Sequence, residues 1–214
     1  VAVSVSSGVA QVVSAFPFLY NYRVVISVGL VLFIMVMNLR GVRESGNAFA
    51  VPTYLFVVMM VLMIIVGLVR YFSGSLGALV NPPQMAVVGT VAGITPFLLL
   101  HAFSSGTSAM TGIEAISNGI TAFKEPRSRN AGITLIWMSV ILGSLFLGVS
   151  FLTGQIHAIP SDHEPVISQI GRTVFGGEGA LYLVIIAATT MILILAANTA
   201  FADFPRLSAL QAAD

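Results

Sequence analysis

One carboxylate, Glu114, stands in the middle of an apolar stretch, directly after the small and polar run Ser104-Ser105-Gly106-Thr107-Ser108-Ala109-Met110-Thr111-Gly112-Ile113. A carboxylate at bilayer depth is costly unless water, a cation or a partner meets it, so such a group marks an ion or proton path. Ser104, Thr107, Thr111, Glu114 and Asn118 follow steps of three, four, three and four, which places them on one helical face. Ser4, Ser7, Gln11 and Ser14 repeat that spacing near the start of the chain. Hydroxyls and glycines also let membrane helices pack closely. An ionisable group in the first stripe makes a purely structural role expensive there. Gly106 and Gly112 weaken the helix by about 1 kcal/mol each relative to alanine, and the neighbouring Ser and Thr offer the backbone other hydrogen bonds. A break at this point would expose carbonyl oxygens near the bilayer midplane. Carbonyls, hydroxyls and one carboxylate make an oxygen-only set, suited either to a bare alkali cation or to the ammonium group of an amino acid.

The elements that must position these groups are membrane helices. Of the 214 residues, 57% are hydrophobic and 8% charged, and the mean hydropathy is +0.99; a soluble domain carries about 25% charge. About 20 apolar residues are needed to cross the hydrocarbon core. The charge-free runs predict an all-α membrane protein, one transmembrane domain over 1–214, with six spans at 1–16, 24–39, 49–72, 88–120 with a break, 131–156 and 180–204. The runs are long and uniformly apolar, unlike the ten-residue alternation of a membrane β-barrel.

Nine Lys/Arg against eight Asp/Glu leave a net charge of +1, which argues against nucleic acid or an acidic partner. Basic residues instead set orientation. Arg40, Arg43, Lys124, Arg127, Arg129 and Arg206 fall on one side, and Arg23, Arg70 and Arg172 on the other. This places 40–47, 121–130 and the residues after 204 in the cytoplasm of a multi-pass protein of the cell membrane. The outer connections 73–84 and 157–178 read as irregular caps punctuated by Gly and Pro. No cysteine is present, which excludes disulfides and thiolate chemistry. Val1 is not an initiator and no basic segment precedes the first apolar run, so the chain reads as having no signal peptide and as cut at both ends.

Other polar residues have simpler readings. Asp203 and Arg206 form a local pair or interfacial anchor. Asn198 and Thr199 face a cavity or bond between helices. His101 is a packing histidine. His157, Asp162, His163 and Glu164 read as a solvated loop with only a faint metal signal. Pro52 fits a helix start, and Tyr54 an interfacial aromatic. No Gly-x-Ser-x-Gly elbow and no base beside a serine at membrane depth supports an intramembrane hydrolase, so no catalytic residue, cofactor or resident metal is expected.

The run AFSSGTSAMTGIEAISNGITAFKEPRSRNA resembles the sixth helix and following loop of the amino acid-polyamine-organocation (APC) superfamily of transporters. NLRGVRESGNAFAVPTYLF and NTAFADFPRLSAL are similar to its potassium-uptake branch, the KimA-type importers. The resemblance implies helices three to eight of a twelve-helix protein with the inverted five-plus-five repeat of the LeuT type. It implies ion or substrate binding by Ser4, Thr111 and Glu114, with the rest of the site on a first helix outside this chain. Potassium and a proton would be the transported species, with an amino acid permease of the same superfamily as the alternative; the lipid bilayer is the surrounding partner, and homo-oligomerisation is left open. Burial disfavours a charged carboxylate and a neighbouring cation favours it, so Glu114 could link the two ions by changing protonation state.

Overall fold

The computed structural model describes residues 1–40, 46–83, 95–107, 116, 123–159, 161 and 164–213. Regular structure among them is helical: α1 (Ala2–Ala15), a 3-10 segment (Pro17–Tyr22), α2 (Arg23–Leu39), α3 (Gly46–Phe72), α4 (Pro96–Thr107), α5 (Arg127–Ile156), α6 (Val166–Phe175) and α7 (Ala180–Ala213). α1 stops where Pro17 forces the residue before it out of the helical region: Phe16 sits at φ −128°, ψ 77°.

Among the described residues four helical stretches are long and apolar enough to cross a membrane: Pro17–Leu39, Phe49–Phe72, Arg127–Ile156 and Ala180–Phe201. The 24 residues of Phe49–Phe72 reach about 36 Å at 1.5 Å per residue, beyond the roughly 30 Å of hydrocarbon. Val24, Phe33, Val58, Trp137 and Phe146 are exposed on these helices, as lipid contact requires. α1, with 14 residues, is shorter than a full span. Of the expected span 88–120, residues 95–107 and 116 are described, and the remainder lies outside the described residues.

Two expectations are corrected. Pro52 lies inside α3 instead of at its start, because the helix is prolonged upstream through Gly46, Asn47 and Ala48. The segment 157–178 is not irregular throughout, since it holds α6. Pro165 precedes α6, and Gly176 at φ 76° ends it, with the Gly177 N–H bonded to the Arg172 carbonyl at 2.8 Å and that of Gly176 to Thr173 at 3.3 Å. That is a Schellman cap, in which a glycine takes the left-handed backbone that closes the last turn.

The chain divides into two compact units, Val1–Gln84 with Gly148–Asp214, and Met85–Leu147. In the first, Val5, Val9 and Val13 recur every four residues along α1 and pack with Ile34 of α2 and Ala197 of α7. Lipid is as apolar as these side chains, so close fit and hydrogen bonds hold the seam together. α6 rests on α3 and α7: a Cβ added to Gly171 would meet Ile185 at 3.2 Å and Tyr182 at 3.7 Å. Gly148 faces Ile64, and Gly67 faces Leu152, with room for no methyl group, since an added Cβ would come within 2.7 Å in each case. In the second unit, the Thr95 hydroxyl accepts the Leu98 N–H at 3.2 Å and caps α4. Asn130 ties α5 to the Lys124 carbonyl at 2.8 Å.

Candidate functional site

Three regions of the first unit compete for a functional role: the largely apolar groove between α1 and α2, the seam between α1 and α7, and the cap formed by α6 with its neighbours.

The groove has a volume of about 610 Å³, and Val5, Ser6, Val9, Tyr20, Arg23 and Ser27 are among its lining residues. Among these, the Arg23 guanidinium lies 4.4 Å from the centre of the Tyr20 ring and donates to the Tyr20 hydroxyl at 2.8 Å. Ser27 returns its hydroxyl to the Arg23 carbonyl at 2.8 Å. Arg23 is therefore held in place by aromatic and hydroxyl partners from its own turn.

In the seam, Gly8 allows close approach: a Cβ there would lie 3.5 Å from Leu193 and 3.7 Å from the Thr190 carbonyl. The Thr190 hydroxyl donates to the Gly8 carbonyl at 3.4 Å. One turn further along α1, Gln11 is buried, and its Oε1 has no hydrogen-bond partner. Ser14 donates its hydroxyl to the Gln11 carbonyl at 2.7 Å. Nearer the other end of α7, Asn38 donates to Asn198 Oδ1 at 2.7 Å and to the Ile34 carbonyl at 2.8 Å. Asn198 thus joins α7 to α2. Thr199 turns back to its own helix, donating to Leu195 at 3.2 Å.

The cap contains a buried ion pair. Arg172 Nη2 meets Glu164 Oε2 at 2.8 Å, and both residues are under a tenth exposed. Ser168 donates to Glu164 Oε1 at 2.9 Å and lies 2.9 Å from the Tyr182 hydroxyl. Arg172 also donates to the carbonyls of Val80 at 3.0 Å and Asn81 at 2.8 Å. Gln169 pairs with the backbone of Ile159 through both ends of its amide, at 2.7 and 3.0 Å. From α3, Arg70 donates to the carbonyls of Thr173 at 3.1 Å and Val174 at 2.7 Å, the groups that a helix leaves open at its end. Every member of this network is answered by another. Its chemistry is structural: it stitches α3, the 75–81 segment, α6 and α7 together.

The residues expected from the sequence fall as follows. Ser4 is half-buried on α1, next to the core residue Val5. Thr111 and Glu114 lie outside the described residues, as do Asp162 and His163, so Ser4 is the described member of the expected set. The side chains of Asp203 and Arg206 are likewise outside the description, although the helix continues through them. His101 is exposed on α4, its ring 6.3 Å from that of Phe97. Reading Glu164 as part of a solvated loop is corrected: it is buried and paired with Arg172. A partial signal for that pair was in the chain, because Ser168 and Arg172 are spaced by four on one face of α6 and Glu164 stands two residues before that helix. Among the described residues no three His, Asp or Glu side chains gather as a metal site would need.

A family model described as amino acid permease matches residues 1–214. The chain is 49% identical over 209 residues to the protein named Potassium transporter KimA from Bacillus subtilis (strain 168). That match covers 97% of this chain and 34% of the relative, so the chain spans about a third of the length of the curated relative it matches.

Proposed function

The chain belongs to the amino acid permease family, and from that premise we propose that it is part of a secondary transporter that takes up potassium together with protons. The observation that carries the choice of potassium is the 49% identity to Potassium transporter KimA over 97% of this chain. In this reading the chain supplies six spans of a LeuT-type bundle with inverted repeats. Ser4, Thr111 and Glu114 offer oxygen ligands to the ion. Oxygen ligands from broken helices near the midplane are the usual means by which such carriers hold small cations. The basic residues assign 40–47, 121–130 and the residues after 204 to the cytoplasmic side. Glu114 couples the two ions: it is charged while a cation faces it and protonated when desolvated.

The test is uptake of a potassium tracer by the full-length protein in cells lacking other potassium importers, with amino acid uptake measured in the same cells. Wild type gives saturable, proton-driven potassium uptake, and Glu114→Gln reduces it to background at unchanged surface expression. Normal uptake by Glu114→Gln removes that residue from the mechanism. Saturable amino acid uptake without potassium uptake selects the amino acid permease reading, which the description of the family model favours.

A further inference from the structure

A neutral amide in the α1–α7 seam has a property that the buried groups of the cap lack. Among the described residues, Gln11 Oε1 is the buried side-chain polar atom without a partner. Glu164, Ser168, Gln169 and Arg172 are buried as deeply and are all bonded. Leaving an acceptor unmet in a membrane bundle is unfavourable, so such an atom is suited to a visitor that brings positive charge or a donor hydrogen. Gln11 stands seven residues from Ser4, which is two turns along the same face of α1 and about 10 Å along its axis. One turn away on that face, the Thr190 hydroxyl donates to the Gly8 carbonyl at 3.4 Å, a contact that brings α7 against this face of α1. An amide oxygen belongs to the neutral oxygen chemistry that replaces the hydration shell of potassium.

We propose that Gln11 is a further residue of the cation path, its amide oxygen serving the permeant monovalent cation, or the water that cation carries, between the α1–α7 seam and Ser4. This rests on the reading of the protein as a potassium carrier and adds a residue to it on a separate observation.

The experiment uses purified full-length protein and asks how far potassium chloride raises its melting temperature relative to choline chloride, alongside tracer uptake in cells. Gln11→Met keeps the volume and removes the oxygen. The potassium concentration for half-maximal stabilisation, and KM for uptake, rise about tenfold, the loss expected for one oxygen contact. Maximal uptake changes far less. Gln11→Asn keeps an amide and retains part of the response, which preserves the test should the Met variant fail to fold. A wild-type potassium response in Gln11→Met overturns the proposal. So does a variant that melts lower in choline but gains the same increment from potassium, because that is a packing role. Glu114→Gln separates the two readings: loss of the potassium response there with a normal response in Gln11→Met sinks this inference alone, whereas a normal response in Glu114→Gln sinks the role assigned to Glu114 and leaves the Gln11 result to be judged by itself.

Discussion

The cap and the α1–α7 seam both bury polar side chains in the same compact unit, yet they treat them in opposite ways. In the cap a full ion pair, Glu164 with Arg172, is enclosed by Ser168, Tyr182 and the carbonyls of Val80 and Asn81. Removing two charges from water costs several kcal/mol per ion, and that cost is offset only when good geometry and further hydrogen bonds meet both partners. The seam buries one uncharged amide and leaves its oxygen unanswered. Complete satisfaction fixes a single arrangement, whereas an open acceptor keeps a place for something that arrives and leaves. The contrast separates a polar group that builds the fold from one that is available for use.

Substitutions can break or sharpen that contrast, and the largest effect belongs to the cap. Arg172→Met leaves Glu164 charged and unpaired, so it should lower stability by about 3–5 kcal/mol, as seen when one partner of a buried pair is removed. Adding Glu164→Leu to it should recover most of that loss, because a well-packed apolar replacement is often neutral. Thermal unfolding of the full-length protein in detergent measures both. If the single and double variants are equally unstable, the ion pair is not what the cap depends on. Next comes packing: Gly148→Ala drives a methyl into Ile64, and overpacking of this kind costs about 1–3 kcal/mol. Asn198→Val cuts the hydrogen bond to Asn38, and interhelical bonds in membranes are worth about 0.6 kcal/mol on average, so a shift of a degree or two in the melting midpoint is expected. The smallest effect has the opposite sign. Gln11→Leu removes an unmet acceptor and should leave stability unchanged or raise it by up to about 1 kcal/mol in potassium-free buffer. A loss as large as that of Arg172→Met would show that the amide is bonded in the intact protein, and the contrast would fail.

Sequence pattern made the membrane helices legible because a hydrocarbon slab imposes one simple rule, a long apolar run, and α2, α3, α5 and α7 obey it. α1 was readable from its charge-free run and its polar stripe, although the helix itself is only 14 residues long. α6 was not, for a physical reason. Its flanking Pro165 and Gly176-Gly177 are turn formers, and Glu164 and Arg172 are residue types usually left in water. Burial of that pair depends on carbonyls contributed by Val80 and Asn81, more than eighty residues away in the chain, which no local pattern can announce. The Asn38–Asn198 bond is hidden in the same way, because it spans 160 positions. Gln11 was visible as a member of a stripe, but whether its amide has a partner is a property of the assembled seam. Of the expected ion-binding set, Ser4 is seen at the edge of the α1 core, while Thr111 and Glu114 lie outside the described residues.

The helix that ends at Ala213 runs on past Phe201 into a stretch that carries Asp203 and Arg206. The turns beyond Phe201 add about 18 Å at 1.5 Å per residue. Pro205 lies among these turns and has no N–H to bond the Phe201 carbonyl, so the helix is weakest against bending just where apolar sequence gives way to charge.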